Sequence, residues 1–91
     1  MFTPNDRERL SHILDATTKI MLALDGYTLD KFRGDWEKRL VIERLIEIIG
    51  EAANRLTPEF VAEASHIPWP QIVGMRNIVS HEYFRVDSSV I

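Results

Sequence analysis

Between positions 10 and 24 the chain sets Leu10, Ile13, Leu14, Thr17, Ile20, Met21 and Leu24 at steps of three and four, while Arg7, Glu8, Asp15 and Lys19 fall elsewhere. That period is the mark of a helix with one buried stripe. The start is written just upstream. In Thr3-Pro4-Asn5-Asp6, a threonine stands as N-cap, a proline takes the first helical position, and an acid follows three residues after the cap in the manner of a capping box. The helix is expected to stop before Gly26. Thr28 to Phe32 form one short turn, and Asp35 caps the long segment that follows. From Trp36 to Leu56 the apolar positions Val41, Ile42, Leu45, Ile46, Ile48, Ile49, Ala52, Ala53 and Leu56 make a stripe wide enough for two neighbours, which places this helix at the centre. Gly50 inside it costs about 1 kcal/mol relative to alanine. With Ala52 and Ala53 it makes a flat patch for the close approach of another helix, either within one chain or across a dimer contact.

Thr57-Pro58-Glu59 repeats the Thr-Pro signal and starts a short helix through Ala64. In His66-Ile67-Pro68-Trp69-Pro70 the residue before each proline is pushed out of the α region, which gives a stiff connector. A last helix begins near Pro70 and carries Ile72, Val73, Met75, Ile78 and Val79. No alternation long enough for a strand and no repeat is present. The expected fold class is all-α, an antiparallel helical bundle forming a single domain over residues 1–91.

Composition narrows the function more than the fold. A chain of 91 residues with 45% apolar and 27% charged positions has the balance of a globular protein, and at this length it buries roughly 60 to 65% of its unfolded surface. Without cysteine there are no disulfides and no thiolate metal sites. The N-terminal MFTPNDRERL is charged where a signal peptide is apolar, and no apolar run reaches the roughly 18 residues of a membrane span, so a cytoplasmic location is expected. A net charge of −3 argues against a broad nonspecific nucleic-acid surface, which needs many cations to neutralise phosphates. Any positive site for RNA must be local.

The chemistry gathers at MRNIVSHEYFR, residues 75–85, where Arg76, Asn77, His81 and Tyr83 stand within a few positions of each other. On an uninterrupted helix Arg76 and His81, five apart, point about 140° away from one another. They share a site only if the helix ends near Ser80 and the chain bends, or if they meet across a symmetric interface. An extended stretch after Ser80 would put His81, Tyr83 and Arg85 on one side. Arginine beside histidine suits RNA cleavage, because RNA supplies its own nucleophile in the 2′-hydroxyl. The enzyme then needs proton transfer, which histidine provides near neutral pH, and charge stabilisation, which the guanidinium fork provides. A histidine bonded to a backbone carbonyl at a helix end is the commoner outcome of the same pattern. His12 and His66 have no companions at ligand spacing, so no metal site is expected, and no phosphate loop or nucleophile elbow occurs.

Arg76, four residues, His81, one residue, Tyr83 resembles the signature of HepT-like proteins, a branch of the HEPN superfamily. The flanks are similar too, with Ile49-Gly50-Glu51-Ala52 on the central helix and Ile67-Pro68-Trp69 leading into Ile72-Val73-Gly74-Met75-Arg76-Asn77. The resemblance implies an HEPN-like bundle that pairs into a homodimer, with Arg76 and His81 of both subunits lining a cleft as catalytic residues and Asn77 supporting them. It implies a metal-independent endoribonuclease without cofactor, the toxin of a toxin-antitoxin module. The implied partner is a minimal nucleotidyltransferase that silences it by transferring AMP to Tyr83. It also implies that Val86 to Ile91 is the cap and first turn of a final helix, so that the bundle is cut short at its C-terminal end. The alternative is a non-catalytic nucleotide-binding subunit, or the substrate-binding subunit of a nucleotidyltransferase.

Overall fold

The structure is a computed structural model, described for residues 3–77. Four helices follow in order: α1 (Pro4–Leu24), α2 (Leu29–Gly34), α3 (Trp36–Asn54) and α4 (Pro58–Glu63). A fifth, α5, is helical over 69–77 up to the last described residue. No strand occurs among the described residues, and none of the helices there is long and apolar enough to cross a membrane.

Each local start signal operates as its residue type dictates. The Thr3 hydroxyl accepts from the Asp6 amide at 3.0 Å, Thr28 from Lys31 at 3.1 Å, Asp35 from Lys38 at 2.9 Å, and Thr57 from Phe60 at 3.3 Å. Each satisfies one amide that the first turn leaves without a partner. Gly26 closes α1 with φ +76°, a conformation open to a residue without Cβ.

The helices run antiparallel about α3. The start of α1 lies by the end of α3, where Asn5 Nδ2 donates to the Arg55 carbonyl at 2.9 Å. At the other end the Tyr27 hydroxyl donates to Asp35 at 2.8 Å. One core, of Ala16, Ile42, Leu45 and Ile49, forms between α1 and the middle of α3. A second, of Ala53, Leu56, Phe60 and Trp69, closes the other end, and both Ile13 and Ile72 pack against the two. Trp69, in the proline-rich connector, is thus a core residue: its ring meets Phe60 edge-on at 6.0 Å, and its Nε1 donates to the Ala64 carbonyl at 3.0 Å. A buried indole needs such a partner for its polar edge.

The stripe on α1 is turned from the expected one. Ala16 is 1% exposed and sits in the core, whereas Leu14 and Met21 stand 67% and 69% exposed. On the 100° wheel, Leu14 and Met21 lie one step past Ile13 and Ile20, which do pack. Ala16 packs with Ile42, Leu45 and Ile49 of α3, and hydrophobicity alone gives a small alanine little weight.

Asp6 ties the two Thr-Pro caps together. Its side chain is fully buried; Oδ1 accepts from the Thr57 amide at 2.8 Å, and Oδ2 from the hydroxyls of Thr57 at 2.7 Å and Thr3 at 3.0 Å. The expected capping box is therefore only half local, since the carboxylate reaches across to the start of α4. Burial pushes the Asp6 carboxyl up, but the bonds from Thr57 and Thr3 together outweigh it and hold it below its ordinary value of 3.8. A group depressed in the folded state stabilises fully above its unfolded value and loses that contribution as pH falls through the folded one. Asp6→Asn is expected to melt at a lower temperature than the parent at neutral pH, with the gap closing below pH 3.8. Melting curves between neutral pH and strong acid test this; a gap that persists unchanged into acid contradicts the carboxylate's role.

Candidate functional site

Of the residues singled out in the sequence, Arg76 and Asn77 lie on α5; His81 and Tyr83 lie outside the described residues. Asn77 is exposed and Arg76 half-buried. What positions Arg76 is Gly50. A Cβ built on Gly50 would stand 3.1 Å from Arg76 Cβ, 3.4 Å from the Val73 carbonyl oxygen and 3.5 Å from Arg76 Cδ. The missing side chain on α3 is thus the space in which the stem of Arg76 lies. The flat patch of Gly50, Ala52 and Ala53 serves packing within one chain at Gly50, and it sets the guanidinium-bearing residue on the central helix. Trp69, anchored in the core at 6% exposure, fixes the start of the same helix two turns earlier.

At the opposite end of α3, Tyr27 is held in a different cluster. Its hydroxyl donates to Asp35, and the ammonium groups of Lys31 and Lys38 stand 4.6 and 4.7 Å from the centre of its ring. The bond to Asp35, then burial, then the carboxylate's charge raise the phenol above its ordinary 10.0. Asp35 is held low in turn, first by the Lys38 amide and then by the Tyr27 hydroxyl. A phenol engaged in this way is a poor nucleophile, since its proton is both harder to remove and already shared.

His12, which has no metal-binding companions in sequence, does acquire neighbours in space. With Arg9 of α1 and Ile48, Glu51, Ala52 and Arg55 of α3 and its cap, it lines a cleft of about 140 Å³. Sequence spacing could not find this group, because its two halves are some 40 residues apart. Among the described residues, no three His, Cys, Asp or Glu side chains gather as a metal site, and His66 is exposed on the connector.

The all-α bundle of the described residues is consistent with an HEPN-like helical protein. The chain belongs to the HepT-like ribonuclease family, whose model, described as "Ribonuclease HepT-like", matches residues 13–91. Over 91 residues, all of this chain and 80% of the relative, it is 37% identical to "Putative RNase TTE0752" of Caldanaerobacter subterraneus subsp. tengcongensis. Over 85 residues, 93% of this chain and 77% of the relative, it is 34% identical to "Probable ribonuclease HepT" of Thermococcus cleftensis. A third relative, "Gamma-glutamylcyclotransferase and putative RNase MJ0434" of Methanocaldococcus jannaschii, is 39% identical over 82 residues that make up 35% of its length. No solved structure matches the chain.

Proposed function

We propose that this protein is a metal-independent endoribonuclease, with Arg76 and His81 as its catalytic residues. The observation that carries the reading is the family match, which spans the whole segment from Arg76 to Tyr83. The seat of Arg76 on Gly50 supports it, because a guanidinium must be held in place to stabilise a transition state rather than merely attract an anion.

The chemistry is in-line transfer within the RNA. The 2′-oxygen forms a bond to phosphorus and the bond from phosphorus to the 5′-oxygen breaks. His81 takes the 2′-hydroxyl proton or returns one to the departing 5′-oxygen, and Arg76 compensates the charge that builds on the phosphoryl oxygens. Two subunits of a homodimer would supply a histidine for each task, and an isologous pairing would double the local positive charge of a chain that is acidic overall. Asn77, next to Arg76, supports the substrate as a donor. In the full reading the enzyme is a cytoplasmic toxin. A minimal nucleotidyltransferase acts as its antitoxin by placing AMP on Tyr83, two residues from His81, where the added charge and bulk oppose an RNA phosphate.

Incubation of the purified chain with single-stranded RNA tests the core of this. The expected products carry 2′,3′-cyclic phosphate and 5′-hydroxyl ends and form at the same rate with or without a metal chelator. Products with 5′-phosphate ends, or activity abolished by the chelator, would overturn the mechanism.

A further inference from the structure

The cleft between α1 and α3 has a composition that the cleavage chemistry above does not use. Arg9, His12 and Arg55 line it together with Glu51, and its apolar contribution is Ile48 and Ala52. Asn5 organises the two arginine-bearing segments. Its Oδ1 accepts from Arg9 Nε at 3.3 Å, and its Nδ2 donates to the Arg55 carbonyl at 2.9 Å. Arg9 thereby spends one donor and keeps its terminal nitrogens. The Arg55 guanidinium and the His12 imidazole make no hydrogen bond or ion pair among the described residues, and neither does the Glu51 carboxylate. The cleft thus carries two guanidinium groups against one carboxylate, which forms no ion pair with either.

Position adds to composition. On the 100° wheel the α3-side residues of the cleft, Ile48, Glu51, Ala52 and Arg55, lie 100° to 160° around from Gly50, the glycine on which Arg76 rests. Ile48 to Arg55 brackets the axial level of Gly50. The cleft and Arg76 therefore flank the same stretch of α3, separated by about one helix width of 10 to 12 Å. A strand bound at both would pass across the face of α3 that lies between them.

We infer that Arg9 and Arg55 form a phosphate-binding subsite for the RNA strand whose cleavage centres on Arg76. This rests on the ribonuclease reading. Guanidinium forks with unspent donors match phosphodiester oxygens, and Glu51 can accept from a ribose 2′-hydroxyl, an interaction that distinguishes RNA from DNA. At about 140 Å³ the cleft lies below the roughly 300 Å³ at which small-molecule pockets begin, which suits a backbone phosphate rather than a whole nucleotide. A protein partner would need an apolar anchor that Ile48 and Ala52 do not provide.

The test is the binding of a single-stranded RNA oligonucleotide, followed by fluorescence anisotropy over a range of salt, in a His81→Ala background so that the strand stays intact. Arg9→Gln with Arg55→Gln is expected to weaken binding about tenfold at 0.1 M salt and to flatten the salt dependence by about 1.4 in log-log slope, about 0.7 for each phosphate of a single strand that is no longer neutralised. Lysine at both positions should restore most of that slope. Arg44→Gln, on an exposed stretch of α3 where Arg44 faces Glu47 at 3.4 Å, should leave it unchanged. Thermal melts of each variant separate weakened binding from impaired folding. A double glutamine variant that is folded and keeps the parent's affinity and slope overturns the subsite. So does one that binds RNA normally but no longer binds the nucleotidyltransferase partner, which would make the cleft a protein-docking surface. If the unaltered chain neither cleaves nor binds RNA, the ribonuclease reading falls and the subsite falls with it; cleavage by the unaltered chain beside an unaffected double variant sinks the subsite alone.

Discussion

His81→Ala is expected to lower RNA cleavage by roughly 10²- to 10⁴-fold, the usual cost of removing a positioned proton-transfer group. Arg76→Ala should cost a comparable or somewhat smaller factor, because it removes a fixed charge at the phosphoryl group. Donors of that kind cost about 10² to 10³ when removed one at a time. The two effects should not add, since both groups act in one step. Gly50 gives an independent check on the placement of Arg76. Gly50→Val adds a Cβ that would meet Arg76 Cβ at 3.1 Å and the Val73 carbonyl at 3.4 Å, and its branches add further bulk. The helix must shift outward, carrying the guanidinium with it. Cleavage should then fall well before the fold is lost, although valine has a better helix propensity than glycine. Rates measured under single-turnover conditions, alongside melting temperatures, decide the matter. Near-parent cleavage by His81→Ala ends the catalytic assignment. Near-parent cleavage by a folded Gly50→Val would show that the Gly50 seat is only packing.

The second large effect concerns silencing. On incubation with the proposed nucleotidyltransferase partner and ATP, Tyr83 is expected to carry AMP and cleavage to be lost, whereas Tyr83→Phe should remain active under the same treatment. Tyr27 should carry none. Its hydroxyl is bound to Asp35 at 2.8 Å and its proton is held more tightly than in a free phenol, with Lys31 and Lys38 crowding the ring. Peptide mass mapping reads the outcome directly. An adduct on Tyr27, an adduct on neither tyrosine, or a Tyr83→Phe protein still silenced by the transferase activity would refute this regulation.

The letters of the chain determined by themselves whatever depends on near neighbours. Thr3, Asp35 and Thr57 cap helices because a short oxygen-bearing side chain reaches an amide three residues on, whatever else the chain does. Gly26 ends α1 for the same local reason. The Arg76, His81 and Tyr83 pattern and its flanks were enough to suggest the family, which the match over residues 13–91 establishes. Only the tertiary structure decided which residues meet across long separations. It turned the buried face of α1 toward Ala16, which packs with Ile42, Leu45 and Ile49, and left Leu14 and Met21 exposed, an outcome that a hydrophobicity pattern, which undervalues small side chains, does not carry. It drew Asp6 beyond its own turn to Thr57, because a buried carboxylate needs every donor in reach, and the second Thr-Pro cap supplies two. It seated Arg76 on Gly50, and it joined Arg9 and His12 to Arg55 in one cleft. Such encounters depend on how the helices cross, a property of the packed chain that no stretch of sequence carries alone.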